Sequence, residues 1–300
     1  MTLEQLRIFV AVAEEQHVTR ASRALNLTQA ATSASIAALE SRHGVALFHR
    51  VGRGIALTEA GRVLLEEARK VLAAAASAEC ALRDLSGLKR GHLCVHASQT
   101  IASYWLPAKL QRFRASCPGV TLSVGIGNTQ DVAQAVKAGR AEIGFVEGEV
   151  RDPSLVAETV ARDELLLLVP PDHPWTRQPP TSPAMLLEAV WVLREAGSGT
   201  RQRLEVALTD FGVDPAALQV ALELPSNEAV RAAVEAGAGV TVLSRLVAGG
   251  ALLAGTLYAV PFALPDRSFQ LLRHRQRSVS AAAAAFRTLL YPAGSTRAGT

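Results

Sequence analysis

Apolar residues recur every three or four positions near the start of the chain, the spacing that places them on one face of a helix. The first such helix follows a capping box made by Thr2 and Gln5. Its apolar face consists of Leu3, Leu6, Phe9, Val10 and Ala13. The apolar face of a second helix consists of Val18, Ala21, Ser22 and Leu25. Small residues at the centre of that face let another helix approach closely, so the pattern predicts a small helical bundle.

A tight turn and a third helix follow. Asn26 lies where the chain must reverse, and asparagine tolerates the left-handed conformation that such turns use. Thr28 is a good N-cap for the third helix, whose inward positions are Ile36 and Leu39. The outward positions are then Gln29, Thr32, Ser33 and Ser35. We expect this outward face to be free for a partner.

The next elements predicted are a hairpin and a long helix. Residues 47–50 and 54–57 indicate two short strands, a wing whose turn carries Arg53 at its tip. Thr58 caps a helix that we expect to run to about Ser86, where Gly87 ends it. Its apolar stripe comprises Leu65, Ala68, Leu72, Ala75, Ala78, Leu82 and Leu85. With no domain yet available to cover that stripe, we expect it to pack against the same helix of a second subunit.

From Gly91 onward, short β-rich runs alternate with helical stretches, a pattern typical of an α/β fold. The first group of strand candidates is 93–97, 121–126 and 141–146. The second group is 164–169, 190–193, 217–224 and 240–243. Two such groups predict two α/β lobes. Ligands of such lobes bind in crevices at the carboxyl ends of strands, close to helix N-termini.

Positive charge is concentrated in two places. The 300 residues carry a net charge of only +4, but residues 16–62 hold six arginines against two glutamates. That segment can supply charge that faces phosphate. A second basic stretch, 267–297, has six arginines and no acidic residue. Alternation of Arg273, Arg275 and Arg277 favours a solvated strand edge there over a second nucleic-acid site.

The third helix has the chemistry of a duplex-DNA reader. Segment 28–36 carries no charge, so its start can meet phosphate without repulsion. A helix fits the major groove, where a Gln29 amide can bond an adenine edge and hydroxyl groups can bond bases or phosphate. Arg53 suits phosphate or a narrow minor groove. The alternative is a three-helix bundle with ordinary surface polarity.

Polar side chains follow strands at four places in the α/β part. They are Ser98, Gln99, Thr100, Asn128, Thr129, Ser198, Gly199, Thr200, Arg201, Ser226 and Asn227. Converging helix starts with hydroxyl and amide groups favour a small anionic or carboxylate-bearing ligand, to which Arg201 could add charge. The alternative is that these serines, threonines and asparagines cap ordinary helices.

Several other classes of protein fit poorly. Cysteines 80, 94 and 117 suit neither a disulfide framework nor a zinc site, and we expect free thiols. Nothing near Met1 resembles a signal peptide, and the apolar run 246–257 is too short for a bilayer. We therefore expect a soluble cytoplasmic protein without a membrane partner. No Gly-x-Ser-x-Gly, phosphate loop or His/Cys cluster occurs, so we expect no enzyme, no catalytic residue, no metal and no cofactor. A secreted solute-binding protein would explain two lobes but leaves residues 1–87 unexplained.

The whole chain resembles the LysR-type transcriptional regulators. The N-terminal resemblance rests on Phe9, Thr19-Arg20-Ala21-Ser22, Leu25, Thr28-Gln29, Ser33, Ile36, Leu39-Glu40, Gly44, Leu47-Phe48, Arg50 and Leu57-Thr58-Glu59-Ala60-Gly61. A looser resemblance in the second half rests on Leu106-Pro107, Phe113, Pro118, Ala138-Gly139, Ile143-Gly144, 195–201 and 236–240. The chain departs from the family pattern at Ala30, where proline is usual, and at His17 and Ser22.

The resemblance implies an N-terminal all-α winged helix-turn-helix with a long linker helix, then a C-terminal α/β, two-lobed, periplasmic-binding-protein-like effector domain. The boundaries we expect are 1–58, 59–88 and 91–300, with lobe I formed by 91–161 and 266–300 and lobe II by 162–265. The DNA-binding set is Thr19, Arg20, Thr28, Gln29, Ala30, Thr32, Ser33, Ser35, Arg50 and Arg53. Implied partners are double-stranded promoter DNA, a second copy in a dimer of dimers, and RNA polymerase. Binding of a small-molecule inducer between the lobes would alter DNA bending.

Overall fold

The computed structural model describes residues 1–51, 54–84 and 91–291, and side chains at 73 and 76–84 lie outside that description. The chain divides into two compact units: Met1–Leu85 lies in the first, and the second holds nearly all of the rest. Among the described helices, none is long and apolar enough to cross a membrane.

The first unit is a winged helix-turn-helix, as the sequence predicts. Its elements are α1 (Leu3–Glu15), α2 (Val18–Ala24), α3 (Gln29–His43), β1 (Phe48–Val51), β2 (Gly54–Leu57) and α4 (Glu59–Asp84). The capping box of Thr2 and Gln5 is present, and Asn26 has a φ of 55° in the turn before α3. Strands β1 and β2 pair antiparallel, with Phe48 opposite Leu57. The wing tip Arg53 and the helix end expected at 86–87 lie outside the described residues.

The core of this unit confirms most of the inward positions predicted for the first three helices, and it also covers part of α4. Its fully buried members are Leu6, Ile8, Phe9, Val12, Ala21, Ile36, Leu39, Leu47 and Ala68. Ala68 on α4 is only 1% exposed, and Leu65 and Leu72 pack against the same core. The first part of the α4 stripe is therefore covered by its own domain, contrary to the expectation that a second subunit must cover it. Leu3, expected on the inner face of α1, is 43% exposed.

Two residues join the wing to the helices. The Glu40 carboxylate accepts hydrogen bonds from the backbone N–H groups of Leu47, at 2.7 Å, and Phe48, at 3.2 Å. At Gly61 the first turn of α4 touches the same segment, because an added Cβ would lie 2.1 Å from the Leu47 carbonyl oxygen. The start of α4 can pack this closely only because residue 61 has no side chain.

The second unit has two lobes, also as expected. The chain first builds lobe I with β3 (Gly91–Ser98), α5 (Leu106–Ser116), β4 (Val120–Gly127), α6 (Thr129–Ala138), β5 (Ile143–Val146) and β6 (Leu155–Asp163). Lobe II follows with β7 (Leu165–Val169), β8 (Val190–Arg194), α7 (Gly199–Asp210), β9 (Gln219–Leu224), α8 (Asn227–Glu235), β10 (Thr241–Ser244), α9 (Arg245–Ala254) and β11 (Tyr258–Val260). The chain then returns to lobe I with β12 (Arg267–His274) and α10 (Ala281–Leu290).

Strand pairing explains how lobe I presents its strand ends. Its sheet has the order β4-β3-β5-β12-β6, in which β3 runs parallel to β4 and β5, and β12 runs antiparallel to β5 and β6. Lobe II contains an antiparallel sheet, β10-β7-β11, and the parallel pair β8-β9. The carboxyl ends of β3, β4 and β5 therefore meet at one edge of the lobe I sheet.

Two strands of this unit, β6 and β11, are absent from the sequence-based expectation. The solvated strand edge expected from Arg267 onward is wrong, because β12 lies between β5 and β6 and Arg267 is only 2% exposed. Strand β6 stays in the lobe I sheet until Asp163, so the boundary expected at 161 falls too early. Strand β9 begins at Gln219, since residues 215–217 form a single 3-10 turn capped by Asp214.

Replacing Gly61 with alanine should destabilise the winged-helix unit by about 1–3 kcal/mol, because α4 must move away from the wing to make room for a methyl group. Chemical denaturation of the full chain measures this loss. Gly249→Ala is the matched control, since that position in α9 has nothing within 4 Å of an added Cβ. Equal stability of the two variants would contradict the close packing of Gly61 on Leu47.

Candidate functional site

The first turn of α3 carries the candidate DNA-reading surface. Gln29, Ala30 and Ser33 are exposed, and Thr28 caps the helix by accepting a hydrogen bond from the Ala31 N–H at 3.1 Å. The Thr19 hydroxyl, on α2, donates to Gln29 Oε1 at 3.1 Å. Thr19 thus orients the amide of Gln29, which agrees with placing both residues in one predicted site.

Two members of the predicted DNA-binding set face inward. Thr32 is fully buried, and its hydroxyl donates to the Thr28 carbonyl oxygen at 3.1 Å. The Ser35 hydroxyl is buried without a hydrogen-bond partner among the described residues. Thr32 precedes Ile36 and Leu39 by four and seven positions, which places it on the same helix face as those core residues. The outward position expected for Thr32 is therefore wrong, and Ser35 does not present its hydroxyl to a groove.

The arginines around α3 can face phosphate. Arg20 is exposed, with Nη2 donating to the Glu15 carbonyl oxygen at 2.8 Å and Nε lying 3.4 Å from the Glu15 carboxylate. Arg50 is exposed on β1, and Arg53 lies outside the described residues. Glu40, the first acidic residue after Glu15, points its carboxylate at the wing backbone. The described α3 surface is thus free of acidic side chains in its first three turns.

In the second unit, residues after β3 bind residues at the start of α8. Gln99 Oε1 accepts a hydrogen bond from the Asn227 backbone N–H at 2.7 Å, and the Asn227 side-chain amide donates to Thr100 Oγ1 at 2.9 Å. Gln99 and Thr100 belong to lobe I, whereas Asn227 belongs to lobe II. Three of the predicted effector residues therefore come together across the interlobe cleft.

A buried ion cluster lies beside these residues and was not predicted from the sequence. Arg267 Nε lies 2.7 Å from Asp163 Oδ2, Arg267 Nη1 donates to Thr200 Oγ1 at 2.9 Å, and Nη1 lies 3.8 Å from Glu147 Oε1. The side chains of Arg267, Glu147 and Asp163 are at most 2% exposed. The Ser98 hydroxyl donates to the other oxygen of Glu147. Arg267 therefore ties the start of α7 to the lobe I sheet.

A second buried arginine is paired separately. The guanidinium of Arg194 forms two hydrogen bonds with the Glu195 carboxylate, at 2.8 and 3.0 Å, and Nη1 donates to the Asn227 side chain. Arg267, at 3.8 Å, is consequently the nearest cation to Glu147, and it lies closer to Asp163. Burial raises the pKa of the Glu147 carboxyl, against the opposing effect of Arg267.

Two further features of the cleft are buried polar atoms that make no hydrogen bond to a described residue and a close approach of the two lobes. Among the described residues, Thr129 Oγ1 and Arg267 Nη2 are buried and make no hydrogen bond. Ser198 is buried and precedes α7 without a side-chain capping bond. An added Cβ on Gly199 would lie 2.6 Å from both the Gly148 nitrogen and Thr129 Oγ1. The two lobes therefore touch at Gly148 and Gly199.

Some predicted effector residues form ion pairs or helix caps instead of facing the cleft with unused groups. Arg201 donates to Glu205 at 2.8 Å and is also paired with Glu223, so its charge is already neutralised. The Ser226 hydroxyl caps α8 by accepting from the Ala229 N–H at 3.0 Å. Asn128 accepts from the Asp131 N–H at 3.0 Å and so caps α6. The capping interpretation describes Ser226, whereas Asn128 both caps α6 and donates to Glu195 of lobe II at 3.5 Å. The expected extra charge of Arg201 is not available.

A pocket of about 430 Å³ opens along one side of the cleft. Its lining residues are Thr129, Gln130, Ala133, Glu149, Val150, Ala196, Gly197, Ser198, Arg201, Gln202 and Glu205. Thr129 and Ser198 thus face both this pocket and the α7 start, whereas Ser98, Thr100, Thr200 and Asn227 lie in the buried network. The structure divides the predicted effector residues between an open pocket and a closed polar core.

Comparisons with known proteins cover nearly the whole chain. A model of the bacterial regulatory helix-turn-helix protein, lysR family, matches residues 3–62, and a model of the LysR substrate binding domain matches residues 86–294. The chain is 38% identical over 299 residues to the HTH-type transcriptional regulator YeiE of Escherichia coli (strain K12), covering 99% of each chain.

Two of the solved structures that resemble this chain are CbnR and CcmR. Full-length CbnR in complex with its target DNA has 23% identity and a TM-score of 0.69, covering 97% of this chain and 99% of that one. The Synechocystis PCC6803 CcmR regulatory domain in complex with 2-PG has 23% identity and a TM-score of 0.61, covering 67% of this chain and 96% of that one.

Proposed function

Because the chain belongs to the LysR family of bacterial transcriptional regulators, we propose that α3 reads promoter DNA and that a small anionic metabolite between the lobes alters this binding. Family membership makes the protein a DNA-binding regulator with an effector-binding domain, and not an enzyme. The residues that read bases, the nature of the metabolite and the assembly are our proposals.

The exposed amide of Gln29 is the observation that best supports base readout. Gln29 stands at the start of α3 without any acidic side chain nearby on the described helix surface, and Thr19 holds its amide. A glutamine amide can donate to N7 and accept from N6 of adenine in the major groove. Ser33 follows one turn later on the exposed surface, while Arg20 and Arg50 supply charge for phosphate contacts.

Gln29→Ala should weaken binding to the native operator by about 1–3 kcal/mol and spare binding to scrambled DNA, because only the specific complex uses a base-edge contact. Fluorescence anisotropy at fixed salt measures both affinities. Ser41→Ala, an exposed substitution near the other end of α3, serves as the control. Equal losses on the two DNAs would remove base readout from Gln29.

The unused hydrogen-bond donors of the cleft support an anionic metabolite. Arg267 Nη2 and Thr129 Oγ1 are buried without partners among the described residues, and α7 begins beside them. Helix N-termini and arginine donors both favour oxyanions. CcmR, whose regulatory domain was solved with 2-PG bound, shares this two-lobed fold. Closure of the lobes over such a ligand would change the DNA bending imposed by the assembled protein.

Exposed apolar surface supports self-association as a dimer of dimers. Val63 and Val71 lie two turns apart on α4 and are 59% and 42% exposed. In the effector unit, the edge strand β4 exposes Ile126, which is 62% accessible, and β9 exposes Val220 and Leu222. We propose that these surfaces pack against a second copy, which would place two α3 helices on two half-sites. RNA polymerase at the promoter is the further partner we propose.

A further inference from the structure

Glu147 occupies an unusual position for a carboxylate next to an anion site. It directly follows β5 at the edge of lobe I that faces lobe II, and its side chain is 2% exposed. Its polar contacts are the hydroxyls of Ser98 and Thr100. An added Cβ on Gly199 would lie 3.0 Å from Glu147 Cγ and 2.6 Å from Thr129 Oγ1. Glu147, the unpartnered Thr129 hydroxyl and the start of α7 therefore border one another.

The charges around Glu147 leave it sharing its nearest counter-ion, Arg267, with Asp163. The charged groups that face it are Arg267 from β12, Arg194 from β8 and Asp163 from β6. Arg267 lies closer to Asp163, at 2.7 Å, than to Glu147, at 3.8 Å, and Arg194 is paired with Glu195. Each of the two arginines therefore has another carboxylate as its closer partner, and three carboxylates share two guanidinium groups. Burial of the remaining carboxyl raises the pKa of Glu147.

An oxyanion on the unused donors would meet an ionised Glu147 at close range. Two negative charges in a buried site repel strongly, and such pairs in proteins hold one proton between them. The hydroxyl contacts of Glu147 do not prevent this, because a hydroxyl can either donate or accept a hydrogen bond. When Glu147 is neutral, the unused Arg267 Nη2, the Thr129 hydroxyl and the start of α7 favour the anion without an opposing charge.

We propose that the inducer is an oxyanion that binds together with one proton, which the anion and the Glu147 carboxyl group share. This inference rests on the proposed anionic inducer and specifies its recognition. An oxyanion that carries its own acidic hydrogen brings the proton with it. A fully ionised oxyanion binds only to molecules in which Glu147 is protonated.

The pH dependence of oxyanion affinity follows from this coupled binding of one proton. Below the pKa of Glu147 the carboxyl is already protonated, so the affinity for a fully ionised oxyanion is constant. Above that pKa each complex must take up one proton, and the affinity falls tenfold for every pH unit. An amide at position 147 is neutral at every pH and removes this dependence.

The experiment uses the full-length protein with sulfate as the probe, because sulfate stays fully ionised between pH 5.5 and 9. Isothermal titration calorimetry at several pH values, in two buffers of different ionisation enthalpy, gives the affinity and the number of protons taken up. We expect uptake to approach one proton per sulfate above the pKa of Glu147. We expect Glu147→Gln to bind sulfate with a flat pH profile, whereas the exposed control Glu188→Gln keeps the native slope.

The possible outcomes test the shared proton and the proposed anionic inducer separately. Sulfate binding with a flat profile in the native protein, or a slope that persists in Glu147→Gln, would overturn the shared proton and leave an anionic inducer standing. If inorganic phosphate and sulfate both fail to bind at pH 5.5, the anionic inducer itself is contradicted. Binding that Thr129→Val does not weaken indicates an adventitious anion elsewhere, such as on the arginines of the DNA-binding unit, and also overturns the proposal.

Discussion

Replacing Arg267 with methionine should destabilise the effector unit by about 3–5 kcal/mol, because two buried carboxylates lose the guanidinium between them. Arg267 is the largest buried polar side chain in the described part of the chain, and it joins Asp163, Thr200 and Glu147. Methionine fills much of the same volume, so most of the loss reflects unpaired charge and not a cavity. Urea denaturation of the full chain, followed by circular dichroism, measures the effect.

Two further variants separate the stability lost through unpaired charge from the stability lost through changed packing. Arg162→Met removes an exposed arginine from the neighbouring strand β6 and should change stability by less than about 0.5 kcal/mol. The double variant Arg267→Met with Asp163→Asn should be less destabilised than the sum of its parts, because the unpaired charge is gone. Strict additivity, or a loss no larger than that of Arg162→Met, would show that the ion cluster does not stabilise the effector unit.

Gly199→Ala should strongly weaken the response to the inducer while leaving DNA binding intact. The added methyl group would lie 2.6 Å from the Gly148 nitrogen, so the lobes can no longer meet where they do in this structure. Overpacking of this kind costs about 1–3 kcal/mol, which corresponds to a roughly 5- to 150-fold weaker preference for the closed arrangement.

The measurement is a DNA-binding titration with and without the metabolite that changes the footprint of the native protein. Gly250→Ala is the control, because nothing lies within 4 Å of an added Cβ at that position in α9. A normal response in Gly199→Ala would mean that contact between Gly148 and Gly199 has no part in induction.

The N-terminal unit could be predicted almost completely because its signals are local. The capping box of Thr2 and Gln5, the turn at Asn26 and the cap at Thr28 each depend on residues three or fewer positions apart. The direction of Thr32 was harder to predict. Its hydroxyl finds a partner in the backbone of its own helix, so a polar residue can face the core.

The centre of the effector site could not be predicted from the sequence. Charged side chains are rarely fully buried unless they are paired, and the partners that pair them here are distant in sequence. Arg267 and Asp163 are 104 positions apart, and nothing local marks either as buried. The alternating arginines from Arg273 onward suggested an exposed edge, yet Arg273 pairs with Glu158 on β6, which lies beside β12. The one available signal was the position of Glu147, directly after the fully buried strand β5.

We propose that this regulator recognises specific promoter DNA and that a small metabolite alters this recognition. DNase footprinting of the full-length protein on its own upstream DNA, against scrambled DNA and with a panel of anionic metabolites, measures both properties. We expect protection of two spaced half-sites on the native DNA alone, with a pattern that one metabolite changes. Protection without sequence preference under every condition would rule out this proposal.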